Sequence, residues 1–422
     1  MLSVQRVADY PTARLALLAA LLFVGLSSRR PELLLRPQFW AEDGLIFFQQ
    51  AHELGFLRSL IEPYAGYLHT LPRLVAGVTL LVPLIMAPLV FNLVGLVIQV
   101  LPAVYLVSGR MRDVASLGVR VLVALLFVGI PNVWRVHGNM ANAQWHVAVL
   151  CCLILIAPPP RTLWTRIFDG TMLAICCVTG PFAIVLLPIA AVVAWQRRDS
   201  WTLKRGALFA AGALITMVAM QVSGARLHPR LGGLGASVAG FVNMLAFQVV
   251  APVLWGTNPT PQLAAHPAVA VLLSYVLAGA GLVLVASAFI RGGTEVRCFL
   301  LFAALVLAAS LASPLAGVKE PAWLAMQRPG ATHRYWLLPE LAVVVAVVTV
   351  AFTARSQVVR TVGTLLIGVM VVVEAVQWRM PPLPDLRYPQ SVAAFRALPI
   401  GAQMRIPILP NWAMTLTRTA RD

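Results

Sequence analysis

The sequence predicts an all-α polytopic membrane protein. Three observations carry that expectation: the composition, the spacing of apolar runs and the sorting of arginines. Of 422 residues, 60% are hydrophobic and 11% charged, and the mean hydropathy is +0.84. That lies well outside the soluble globular range. The formal charge of +17 is almost wholly arginine, since Lys204 and Lys319 are the lysines. In a soluble chain it would point to nucleic acid. In a chain this apolar, arginines mark loops and helix ends, so membrane lipids are the expected partners and nucleic acid is not.

A crossing helix takes about 20 apolar residues. Such runs fall near 13–28, 86–107, 119–134, 144–158, 171–195, 206–223, 268–290, 298–314, 337–354 and 359–376. Two more, 68–84 and 237–255, either span or lie in one leaflet, which gives a bundle of about 10–12 helices; the loops sort cleanly if neither spans. The stretch CCVTGPFAIVLLP (176–188) is interrupted by Gly180 and Pro181. The start, MLSVQRVADYPTAR, carries Arg6 and Arg14 ahead of the first run and no convincing cleavage site. A retained first helix with a cytoplasmic N-terminus is the expectation.

On this topology the short Arg-bearing loops 109–120, 158–166, 195–205, 291–297 and 354–360 are all cytoplasmic, as the positive-inside rule expects. The opposite side receives 29–85, 135–145, 224–267, 315–336 and a tail from 377. These segments are richer in His, Asn, Trp and Tyr, and the first holds Glu32, Glu42, Asp43, Glu53 and Glu62. Two units follow: a transmembrane domain 1–376, with first outer loop 29–85, and a short extracytoplasmic C-terminal tail 377–422. The tail is Pro-rich, with one amphipathic stretch and one β-like run, MRIPILP. It is too small to fold alone and is expected to pack on the outer loops. The Gly-rich RLHPRLGGLG (226–235) follows no strand and reads as a flexible outer loop.

The five cysteines, Cys151, Cys152, Cys176, Cys177 and Cys298, all lie within apolar runs and have no ligand spacing with His. Neither a disulfide framework nor a metal site is inferred from them.

Chemistry concentrates on the outer side. In FWAEDGLIFFQQ (39–50) two adjacent carboxylates, Glu42 and Asp43, follow the first membrane exit between Trp40 and Phe47/Phe48. Burial raises a carboxyl pKa and two neighbouring charges split the pair, which suits a general base. The surrounding AEDGLIFFQQAHELG reads as a short amphipathic helix lying on the membrane. The alternative is a solvated loop pair, or ion pairs with Arg36 or Arg58. PYAGYLHTLPRL (63–74) supplies Tyr64, Tyr67, His69 and Arg73. WRVHGNMANAQWH (134–146) supplies Arg135, His137, Asn139, Asn142, Gln144, Trp145 and His146; amides and Trp suit sugar hydroxyls and sugar faces, or Trp134 and Trp145 anchor the interface. VKEPAWLAMQRPGATHRYWLLPE (318–340) brings Lys319, Arg328, His333, Arg334 and Tyr335 to the start of a helix, either to meet a phosphate or to snorkel to headgroups.

An acidic pair in the first outer loop, followed by interfacial helices (44–84) and a later broken helix (VTGPFAIVLLP), resembles the polyprenyl-phosphate-sugar-dependent glycosyltransferases of the GT-C superfamily. The likeness covers roughly residues 10–290 in architecture. FWAEDG, PYAGYLHTLPRL, HGNMANAQWH and the late RYW-LP segment are similar to an uncharacterised bacterial branch grouped with them. The resemblance implies a GT-C-like bundle in the bacterial plasma membrane. It implies Asp43 as catalytic base with Glu42 tuning it, and Arg334 holding the carrier phosphate, helped by His333, Tyr335, Arg328 and Lys319. Acceptor or sugar contacts fall to Tyr64, His69, Arg73, Asn142, Trp145 and His146. The donor is a polyprenyl-phosphate-linked sugar; the acceptor is an envelope glycan, lipid or protein. The second outer loop departs from the pattern by lacking the acid that metal-dependent members carry, so no tightly bound metal and no other cofactor is expected. A transporter or flippase, and a polymerase or ligase for lipid-linked glycans, are the alternatives. The first would favour intramembrane charges and an internal repeat.

Overall fold

The computed structural model describes residues 12–223, 233–256, 259–317 and 319–421. Arg6 and the start of the 226–235 loop fall outside them. The long helices are α1 (Thr12–Ser28), α2 (Ala87–Val107), α3 (Leu117–Gly129), α4 (Ala143–Ile156), α5 (Leu163–Cys177) and α6 (Phe182–Arg197). They continue with α7 (Ser200–Val222), α8 (Val238–Trp255), α9 (Pro267–Arg291), α10 (Thr294–Ala312), α11 (His333–Thr353) and α12 (Gln357–Val376). Among the described residues seven helices, α2 and α7–α12, are long and apolar enough to cross a bilayer. The chain is an all-α polytopic membrane protein in this sense, with α1, α3, α4 and α6 as shorter apolar helices. The core sits around α4, buried along its whole length, and α11. Helices α9 and α12 expose most of their apolar surface, as lipid-facing helices do.

The arginines of the short loops gather at one end of the bundle. Arg110 donates to Pro159 O (3.1 Å) and pairs with Asp169 (2.8 Å); Arg205 donates to Ile154 O (2.7 Å); Arg197 donates to Ile156 O and Ala157 O and faces Glu295 at 4.0 Å. Most of these bonds satisfy carbonyls at or just past a helix C-terminus, where a cation also meets the helix dipole favourably.

One span reading is corrected. The run 171–195 is not a single crossing: α5 begins at Leu163, stops at Cys177, and α6 returns from Phe182. The turn lies at the loop-rich end, where Val178 O accepts from Thr70 N and Leu68 O accepts from Gly180 N. Gly180 sits at φ +79°, and a Cβ there would strike Gln144, so the turn requires glycine. Two passes instead of one keep 158–166 and 195–205 at the same end of the bundle. A single pass would have parted them.

The segment 68–84 contains only a ten-residue helix, Thr70–Thr79, too short to cross. Helix α8 has the length to cross and packs on α9 as far as Gly281, while its polar bonds lie at the loop-rich end. Asn243 bonds Gln327, Gln248 bonds Met326 O and Arg328 O, and Trp255 O accepts from Gln377.

The tail adds a helix, Tyr388–Arg396, and the one sheet among the described residues, an antiparallel hairpin of β1 (Gln403–Ile408) and β2 (Trp412–Thr417). Ile406, Ile408, Met414 and Leu416 form its buried face. The free edge of β2 is capped by the first outer loop: Thr415 N donates to Gln49 Oε1 (2.9 Å) and Thr417 N to Glu53 Oε1 (2.7 Å).

Candidate active site

The first outer loop is fixed before it reaches the acids. Arg29 and Arg30, at the end of α1, are buried. Arg29 donates to Val128 O and Ile130 O, closing the C-terminus of α3, and Arg30 donates to Trp134 O from over the Trp134 ring. The chain then runs past Leu409, with which Phe39 and Ala41 exchange backbone bonds. Ala41 adopts φ +39° to turn into Glu42.

From Asp43 to Phe48 the backbone forms a π-helical turn, closed by Gln49 N–H to Gly44 O. A widened turn alters which side chains share a face. Gly44 makes it possible, because a Cβ there would press on Phe39 and Ile408 at about 3 Å. The two carboxylates part company here. Asp43 is fully buried, and its Oδ2 accepts from Met140 N (3.0 Å) in the second outer loop, while Oδ1 has no protein partner. Burial pushes its pKa well above the ordinary carboxylate value, against the pull of the Met140 and Ala141 backbone donors. Glu42 is half-buried and faces open space.

That space is a cavity of about 490 Å³ walled by Glu42, Tyr64, Tyr67, His69, Asn142, Gln144, Arg334 and Trp412. A second, more apolar lobe of about 270 Å³ shares Ala65, Tyr67, Gln144, Leu315 and Arg334 with it, and continues along Trp145, Phe182, Val185, Met220 and Val306. Arg334 stands where the two meet. It is held by Leu315 O (3.1 Å) and Tyr335 Oη (3.4 Å), with its guanidinium 4.8 Å from the centre of the Tyr335 ring. Tyr335 Oη in turn accepts from Leu315 N (2.8 Å). A guanidinium braced this way is pre-oriented.

The remaining candidates divide. His69 lines the cavity between Tyr64 and Tyr67, and burial beside Arg73 lowers its pKa to about 3, so it is a neutral wall group at physiological pH. Burial raises Tyr64 and Tyr67 to about 12, leaving both as phenols. Asn142 and Gln144 present amides, and Gln144 Oε1 is buried without a partner. Trp145 and Tyr335 belong to the apolar lobe.

Besides Asp43, five expected site residues are absent from both walls. Arg73 is buried beneath Phe47, its guanidinium 5.6 Å from the ring centre. His146 packs edge-on to Phe127, and His333 edge-on to Trp134. Arg328 is exposed and paired with Glu320, and Lys319 is exposed. Sequence reasoning missed Trp412, whose signal was an aromatic after the β-like tail run. It also missed the bracing roles of Arg29 and Arg30 and the buried Glu340, which accepts from Asn132 (2.9 Å). Among the described residues no group of three or more His, Cys, Asp or Glu gathers in metal-binding geometry.

No protein-family model matches the chain, and no curated protein does.

Asp43 carries a stability prediction. Its folded pKa is raised, so its stabilising contribution is complete below the unfolded value of about 3.9 and is lost as pH rises through the folded value. Asp43→Asn removes that loss. In thermal unfolding of the detergent-solubilised protein, the variant should gain stability over wild type at pH 8 relative to pH 4. A variant that is selectively weakened at pH 8 would mean that the ionised carboxylate is what the Met140 amide requires.

Proposed function

We propose that the chain is an integral-membrane glycosyltransferase of GT-C type. In this reading it moves a sugar from a polyprenyl-phosphate carrier to an acceptor on the outer face of a bacterial plasma membrane. One observation carries the reading: a carboxylate, Glu42, and a braced guanidinium, Arg334, line one cavity, and an apolar lobe joins it at the guanidinium. The apolar lobe takes the first isoprene units of the carrier, Arg334 holds its phosphate, and the sugar extends into the polar cavity.

Glu42 is the general base, in place of the Asp43 that the family pattern implies. It removes the proton of an acceptor hydroxyl; that oxygen bonds to the anomeric carbon as the bond from carbon to phosphate oxygen breaks. The electron pair leaves on the polyprenyl phosphate, where Arg334 stabilises it. Attack opposite the phosphate inverts the anomeric centre. Asp43 acts as a strut between the two outer loops, through Met140. The test is radiolabelled polyprenyl-phosphate hexose and pentose donors presented to the purified chain: label passing to an acceptor with release of polyprenyl phosphate supports the reading, and intact donor across the panel overturns it.

The orientation belongs to the same proposal, with the loop-rich end and the tail outside. Gln50→Cys and Ile400→Cys should react with an impermeant maleimide on intact cells, against a background of native cysteines that are all buried. Labelling of either only after permeabilisation reverses the topology.

The transporter alternative draws on Glu340, a carboxyl buried inside α11, since intramembrane acids mark transport paths in many proteins. It requires that Glu340→Gln abolish movement of a lipid-linked glycan while Glu42→Gln does not.

A further inference from the structure

We infer that the C-terminal hairpin furnishes the acceptor half of the cavity, with Trp412 as a stacking platform for a pyranose ring. The acceptor class is therefore a glycan. This rests on the glycosyltransferase reading and narrows it.

The placement of Trp412 is the starting point. On β2 it shares a face with Met414 and Leu416, which are fully buried against the tail and first outer loop. At Trp412 that face runs past the packed core, and the ring, 38% exposed, becomes cavity wall. The hairpin core is complete without it. The ring is nonetheless fixed relative to Glu42: Leu409 is bonded to Phe39 and Ala41, and β2 is bonded to Gln49 and Glu53, so both sides of the acid-bearing turn grip the hairpin.

Position selects the acceptor over the donor. Arg334, Tyr67 and Gln144 border both lobes, whereas Trp412, Glu42, His69 and Asn142 border only the polar one. The carrier lipid occupies the apolar lobe, so the group that meets Trp412 lies on the far side of the transferred sugar, beside the base. The wall chemistry there is phenol, amide, neutral imidazole and carboxylate around an indole face. Sugars pair hydroxyls with such donors and acceptors and lay their C–H faces on aromatic rings. An acyl chain would find too many polar groups.

The test uses the full chain in nanodiscs prepared without sugar-headed detergent, and a panel of di- to tetrasaccharides observed by saturation-transfer NMR. Wild type is expected to bind part of the panel. Trp412→Ala should weaken that binding about tenfold, the worth of one aromatic contact, and Trp412→Tyr should retain most of it. Equal binding by wild type and Trp412→Ala overturns the inference, as does wild type that binds none of the panel or that binds acyl-glycerol or peptide acceptors through the same residue. Circular dichroism and elution profile confirm that each variant is folded. Failure of the parent reading is distinguishable, because it shows as intact polyprenyl-phosphate donor with the wild-type chain, whatever Trp412 does to oligosaccharide binding.

Discussion

Glu42→Gln is expected to lower sugar transfer by about 10²–10⁴-fold, the usual contribution of a general base. The change is nearly isosteric, and Glu42 takes no part in the core, so expression and insertion should match wild type. The informative comparison is Asp43→Asn, measured as radiolabelled transfer in membranes matched for protein. Asp43 lies outside the cavity wall and its accepting oxygen survives in asparagine, so the loss there should stay below about tenfold. This reverses the ranking that the acidic pair suggests when read as a motif. If Asp43→Asn proves the more damaging of the two, the base is Asp43 and the cavity must open toward it during turnover.

Arg334→Ala is expected to reduce transfer by roughly 30- to 1,000-fold, corresponding to about 2–4 kcal/mol of lost stabilisation of the departing phosphate. Arg334→Lys should fall between, since an ammonium keeps the charge but loses the planar fork and the contact with Tyr335. Arg328→Ala should be nearly silent, because Arg328 is exposed and its pair with Glu320 is a surface ion pair. Equal losses at 334 and 328 would make both of them headgroup anchors.

The sequence carried much of this in two patterns. Apolar runs and arginine-bearing loops locate the helices and gather the loops into two sets, because bilayer thickness and charge leave strong periodic marks. The importance of 39–50 and of Arg334 with Tyr335 also showed, since polar clusters beside a membrane exit are conspicuous against so apolar a background. What stayed hidden depends on backbone geometry. A single π-helical turn at Asp43–Phe48 decides which acid faces the cavity, and no residue type announces it. His146, His333 and Arg73 looked like site residues because their neighbours in sequence were polar, yet each packs an aromatic face in the interior. Trp412 reaches the cavity through contacts that span more than three hundred and fifty positions, from Gln49 to Thr415 and from Glu53 to Thr417, which local patterning does not encode.

The α5–α6 pair has a consequence for biogenesis. Helix α5 contains Arg166 and Asp169 and is not among the apolar helices, long or short, whereas α6 is one of the shorter apolar ones. A charged residue in a membrane helix costs about 2.5–3.5 kcal/mol at its centre during translocon insertion. Asp169 finds its partners, Tyr105 and Arg110, at the C-terminal end of α2 and just beyond it. If the pair crosses the bilayer, residues 163–197 are expected to insert as a helical hairpin, with α6 drawing α5 into the lipid. The tip that carries Thr179 and Gly180 can dock on Leu68 and Thr70 only afterwards. The apolar lobe thus takes its wall residues Pro181, Phe182 and Val185 from the turn and helix expected to carry α5 in.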